Sequence, residues 1–165
     1  MNEITFQKMT ESIRRKKYLV ILLNTLDKLI TGITFFCYPI LLAYLFLNEM
    51  DFLPAAVIVP GVSFAIVTVF RRLYNSKRPY EVYDFEPVIL KNTLGKSFPS
   101  RHVFSIFMIG MTFLKIQPDL GLLFMLVGAM LAVIRVYGGV HFIRDVVAGA
   151  LIGIIFGYIG FYVIF

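Results

Sequence analysis

Five apolar runs set the terms for this chain. Residues 29–47, 52–70, 103–116, 120–136 and 146–165 carry at most one charged side chain each. About 20 such residues form a helix long enough to cross the hydrocarbon core of a bilayer; the run at 103–116 reaches that length only with the turn before it. Backbone amides in lipid have no water to bond to, so each run must satisfy its own polar groups as a helix. Only 16% of the 165 residues are charged while 59% are hydrophobic, and mean hydropathy is +0.82. A water-soluble domain is closer to a quarter charged, so the surplus apolar surface calls for lipid as its solvent. The expectation is an all-α membrane protein, a single domain over 1–165 built as a bundle of five transmembrane helices.

The N-terminal part reads differently. Arg14, Arg15, Lys16 and Lys17 form a basic run, followed by an apolar stretch and then Asp27 and Lys28. Residues 14–28 are expected to form an amphipathic helix lying in the interface; an extra crossing within 18–35 would instead give six spans. No cleavable signal peptide is expected, because the first 17 residues are polar and basic and no small-residue cleavage site follows the next apolar stretch. Cys37, the single cysteine, excludes an internal disulfide and supplies no metal cluster. Pro39, Pro54 and Pro60 lie in apolar runs, where kinks are tolerated. Gly149, Gly153 and Gly157 place a small residue every fourth position on the last helix, a pattern for close helix packing.

The net charge of +6 raises nucleic acid as a partner. Phe and Tyr, however, lie within or beside apolar runs, as membrane anchors do. Anionic head groups or a phosphate site explain the basic balance more simply, and no nucleic-acid partner is expected.

Alternating crossings sort the polar residues by side. Arg71, Arg78, Ser100, Arg101, His102, Arg135, His141 and Asp145 fall at helix ends on one side; the other offers little beyond Asn48, Glu49, Asp51, Lys115 and Asp119. Ionisable groups at membrane depth are costly and mark sites. Three clusters result: Arg71-x6-Arg78-Pro79, then Ser97-Phe98-Pro99-Ser100-Arg101-His102, then Arg135-x5-His141-x3-Asp145. Lys77, Lys91, Lys96 and Arg144 are expected to be solvated or in contact with lipid.

The three clusters, in this order, resemble the type 2 phosphatidic acid phosphatase (PAP2) superfamily, whose motifs are K-x6-R-P, P-S-G-H and S-R-x5-H-x3-D. The resemblance spans residues 71–149. Arg71 stands for the family Lys, Arg101 for the Gly before the histidine, and Ile134 for the Ser before Arg135. It implies a small bacterial membrane enzyme, multi-pass in the cell membrane, that acts without metal or cofactor on a lipid phosphate or isoprenoid diphosphate. By the same resemblance His141 is the nucleophile, His102 the general acid, and Arg71, Arg78, Ser100, Arg101 and Arg135 the phosphate ligands. Asp145, four residues beyond His141, suits the role of orienting its ring. Phosphatidic acid, phosphatidylglycerol phosphate and undecaprenyl diphosphate all fit. The same site could transfer the phosphoryl group to another alcohol, and a non-catalytic lipid-phosphate binder or transport protein is the reading from another class. The basic run at 14–17 favours a cytoplasmic N-terminus and, with five crossings, a cytoplasmic site; family members commonly place the site outside. Oligomeric state is left open.

Overall fold

The structure, a computed structural model, describes residues 3–48, 50–91 and 93–165. Glu49, grouped above with the far side, lies outside them. The described residues form helices α1 (Glu3–Arg14), α2 (Lys17–Leu47), α3 (Leu53–Tyr74), the single turn α4 (Pro79–Val82), α5 (Arg101–Ile116), α6 (Pro118–Tyr137) and α7 (Ile143–Tyr158), the last continued by a π-helical turn at Ile159–Ile164. The expected all-α membrane bundle is found. Lys17–Leu47, Leu53–Val82, Pro118–Tyr137 and Ile143–Ile164 are long and apolar enough to cross a membrane.

α5 is the exception that organises the rest. At 16 residues it is about 24 Å long, short of a ~30 Å hydrocarbon core. Yet every residue from Val103 to Phe113 is buried, because α2, α3, α6 and α7 all pack on it. It pairs with α6 through the turn at Gln117, so it must traverse the bundle for α6 to return. Glycines permit this approach. A Cβ at Gly149, Gly153 or Gly157 would lie 2.6 Å from Ser100 O, 2.8 Å from Phe104 O and 2.5 Å from Met111 Cβ. The small-residue stripe is therefore intramolecular α5–α7 packing.

The amphipathic segment differs from expectation in its bounds. The chain breaks at Lys16, within the basic run, and from Lys17 continues as one helix of 31 residues. No separate interfacial helix forms over 14–28, nor does an extra crossing within 18–35. The reason is that Gly32 and Pro39 are absorbed within α2, whereas the run of like charges at 14–17 resists helical stacking. The amphipathic helix is α1. It buries Phe6 and Thr10, and the Phe6 ring lies 5.6 to 6.1 Å from those of Tyr83, Phe85 and Phe142. Arg14 pairs with Glu86, and Gln7 donates to Tyr83 O at 3.3 Å. α1 thus covers the connection that precedes α5.

Candidate active site

The ends of α3 and α5, the connection between them, and the α6–α7 turn enclose a cavity of about 360 Å³. Arg71, Arg78, Arg101, His102 and His141 line it, joined by Thr68, Arg72, Lys91, Thr93 and Lys96. Among the described residues no carboxylate lines it. A larger groove of about 880 Å³ runs between α2 and α6. Its walls are mostly aliphatic and aromatic and share no residue with the polar cavity, as suits a surface facing lipid tails.

Local backbone chemistry sets each side chain in place. α3 stops at Asn75, whose left-handed backbone (φ 42°) returns its N–H to Arg71 O at 3.2 Å. Arg71 then reaches across to the carbonyls of Lys96, Ser97 and Pro99. Arg78 Nε donates to Gly95 O at 3.1 Å and Nη1 to Val140 O at 3.1 Å. Glu81 fastens the same loop, accepting the N–H groups of Arg78 (2.9 Å) and Gly95 (2.8 Å). The two arginines therefore brace the connection as well as facing the cavity.

Ser100 caps α5 in an extended conformation, and its N–H donates to Asp145 O at 2.8 Å. Phe104 is the first residue to bond back into α5, which leaves the N–H groups of the first turn for an anion. The Ser100 hydroxyl is buried with no partner among the described residues. Arg101 is exposed and lies over the Phe64 ring at 5.5 Å.

His141 sits in the turn between α6 and α7, only 1% exposed. Gly139 (φ 74°) makes that turn with a backbone that side chains disfavour. Asp145, in the first turn of α7, accepts the Phe142 N–H at 3.0 Å and the Ser97 hydroxyl at 2.5 Å. Ser97 Oγ lies 3.3 Å from His141 Nδ1, and Asp145 Oδ2 3.5 Å from it. The one hydroxyl hydrogen of Ser97 goes to Asp145, so Oγ meets Nδ1 with a lone pair. That assigns the ring proton to Nδ1 and leaves Nε2 unprotonated. Burial is the main cause of a His141 pKa pushed down to about 3; Asp145 opposes it, and Arg78 and Arg135 add to it.

Arg135 is placed differently from the other arginines. Its Nε meets Asp27 Oδ1 at 2.7 Å and Nη2 donates to Oδ2 at 3.1 Å, and it is not among the cavity-lining side chains. Lys91 is corrected from solvated or lipid-contacting to a half-buried cavity-lining residue, while Lys96 stays exposed at the cavity's rim. The connection folds inward over the cavity, and burial, followed by repulsion from Arg135 and Arg78, lowers the Lys91 pKa to about 7. Ser97, Glu81 and Asp27 also escaped the sequence reading as partners. Asp27 had a signal, since a carboxylate inside a long apolar helix needs a counter-charge. Among the described residues, no group of three or more His, Cys, Asp or Glu side chains is placed to hold a metal.

Fold and cavity together define a multi-pass helical membrane protein with a cationic, histidine-bearing site at one end of its bundle. The chain belongs to the PAP2 superfamily, whose family model matches residues 52–165. It is 27% identical over 100 residues to the bacitracin transport permease protein BcrC of Bacillus licheniformis, a match covering 61% of this chain and 49% of that protein. The chain thus spans about half the length of that curated relative. Its fold is similar to that of Aquifex aeolicus LpxE, with a TM-score of 0.75 and 25% identity over 97% of this chain and 94% of that one. A PAP2-type phosphatidylglycerolphosphate phosphatase from Bacillus subtilis shares the fold, with a TM-score of 0.61 and 20% identity over 95% and 90% of the two chains.

Proposed function

We propose that this protein is a lipid phosphatase of the cell membrane that works through a phosphohistidine on His141. The observation that carries the reading is the buried imidazole itself. Its Nδ1 faces Ser97 and Asp145, its other nitrogen makes no hydrogen bond among the described residues, and it lines a cavity otherwise rich in arginine and lysine. In the first step Nε2 attacks phosphorus, the P–O bond to the leaving group breaks (the ester bond of a monophosphate lipid, the anhydride bond of a diphosphate), and His102 acts as general acid, passing a proton to the leaving oxygen. Water then attacks the phosphoryl group, giving its proton back to His102 and releasing phosphate from His141. Fixed cationic donors stabilise the charge on the equatorial oxygens, each contributing about 3–4 kcal/mol when well placed. The Arg71, Arg78 and Arg101 side chains and the first turn of α5 are the proposed donors in the cavity, with Arg135 and Ser100 at its edge.

Arg72, Lys91, Lys96 and Arg101 add positive charge beyond what one phosphate group requires. This favours an isoprenoid diphosphate over a monophosphate lipid. Purified protein in detergent, given phosphatidic acid, phosphatidylglycerol phosphate and undecaprenyl diphosphate side by side, is expected to release phosphate fastest from the diphosphate. Equal rates, unchanged by Arg101→Gly, would sink that preference. His141→Ala is expected to abolish release from all three and to remove an acid-labile phosphoryl label from the protein. Full function without His141 would instead favour a binding or transport role.

A further inference from the structure

We infer that Asp27 of α2 is a positioning residue for Arg135, so that a helix lying outside the matched family region helps to build the phosphate site. The inference rests on the function proposed above. Asp27 and Arg135 are 8% and 2% exposed, and they meet through two contacts on one edge of the guanidinium, Nε to Oδ1 at 2.7 Å and Nη2 to Oδ2 at 3.1 Å. A carboxylate on that edge fixes the plane of the guanidinium and still leaves its remaining N–H groups available.

The sequence places Asp27 apart from the motifs. It lies 108 positions before Arg135, and the family match begins only at residue 52. α2 is otherwise apolar from Leu29 to Leu47, so Asp27 stands at the last turn before the helix enters lipid. There the carboxylate balances Arg135, whose charge acts on Lys91 and His102 in the cavity wall. Without it, the arginine is free to swing to head groups, as long cationic side chains near helix ends do.

The test is steady-state hydrolysis together with inhibition by inorganic phosphate, on the full-length protein in detergent. Asp27→Asn keeps the shape and removes the charge. It is expected to raise KM and the phosphate Ki about tenfold while lowering kcat less than about threefold, the pattern of lost binding shared by ground and transition states. In an Arg135→Lys background the same substitution should change neither value further, because residues that act through one another are not additive. Unmoved KM and Ki, or an effect that adds fully to that of Arg135→Lys, overturns the inference. If Asp27→Asn is not recovered folded, Asp27→Glu carries the test. It keeps the counter-charge but displaces the guanidinium, and about a threefold rise in KM and Ki is expected; no rise overturns the proposal. If the wild-type protein neither hydrolyses lipid phosphates nor binds inorganic phosphate, the proposed function falls and this inference with it, an outcome distinct from normal wild-type activity with an indifferent Asp27.

Discussion

His141 and Lys91 are held in uncommon protonation states by the same burial, and each predicts a pH effect. With a folded pKa near 3 against 6.5 for the free group, His141 stays neutral throughout the physiological range. The unfolded chain binds that proton more readily between the two values, so stability is fully present above about pH 6.5 and falls as pH drops toward 3. Thermal unfolding in detergent should show a lower midpoint at pH 5 than at pH 7. On the proposed function, Lys91, with a pKa lowered to about 7, meets phosphate in its charged form. Accordingly kcat/KM should fall as pH rises through about 7, and this limb should vanish in Lys91→Met; a profile identical to wild type would exclude Lys91 from substrate binding. Asp145→Asn is expected to lower kcat by about 10³-fold or more with little change in KM, by loss of the productive ring tautomer. Single-turnover phosphate release measures it. His141, Asp145 and the arginines were legible as residues because ionisable groups are rare in so apolar a chain. Ser97 was not, since a serine two residues before a proline looks like any turn until it is seen between Asp145 and Nδ1.

The pairing of α5 with α7 is the element on which the site depends. Ser100 begins α5 and receives α7 through its N–H contact with the Asp145 carbonyl, while Gly149 lets the two backbones close to contact distance. Gly149→Val should force α7 outward, costing about 1–3 kcal/mol by overpacking and separating His102 from His141. The expected result is a protein that inserts in membranes but melts lower and releases little phosphate. Wild-type activity in Gly149→Val would show that the spacing is not critical. The glycine repeat was visible in the sequence as a packing face; its partner was not, because periodicity says which side of a helix is small and nothing about what lies against it.

Counted with α5, the four helices among the described residues that are long and apolar enough to span give an odd number of crossings, with α1 folded over the site end. Cysteines introduced at Lys8, on α1, and at Leu90, in the connection, should therefore react with an impermeant thiol reagent from the same side of intact cells. One at Asp119 should react only from the other. Cys37→Ser supplies the background, and labelling of all three from one side would refute the topology. The result also says whether the site faces the cytoplasm, as the basic run at 14–17 suggests, or the exterior, as is common in the family.

The sequence alone determined that the chain is a membrane helical bundle and that its ionisable residues gather at one end, because apolar length and charge avoidance act locally along each helix. It also carried the histidines, since their spacing to other motif residues is written within single turns. Only the tertiary structure decided which groups touch. The Asp27–Arg135 pair, the inward fold of Lys91, the hydroxyl of Ser97 and the central burial of the short α5 all join segments far apart in the chain. Burial and hydrogen bonding choose such partners in three dimensions, and no local pattern encodes the choice.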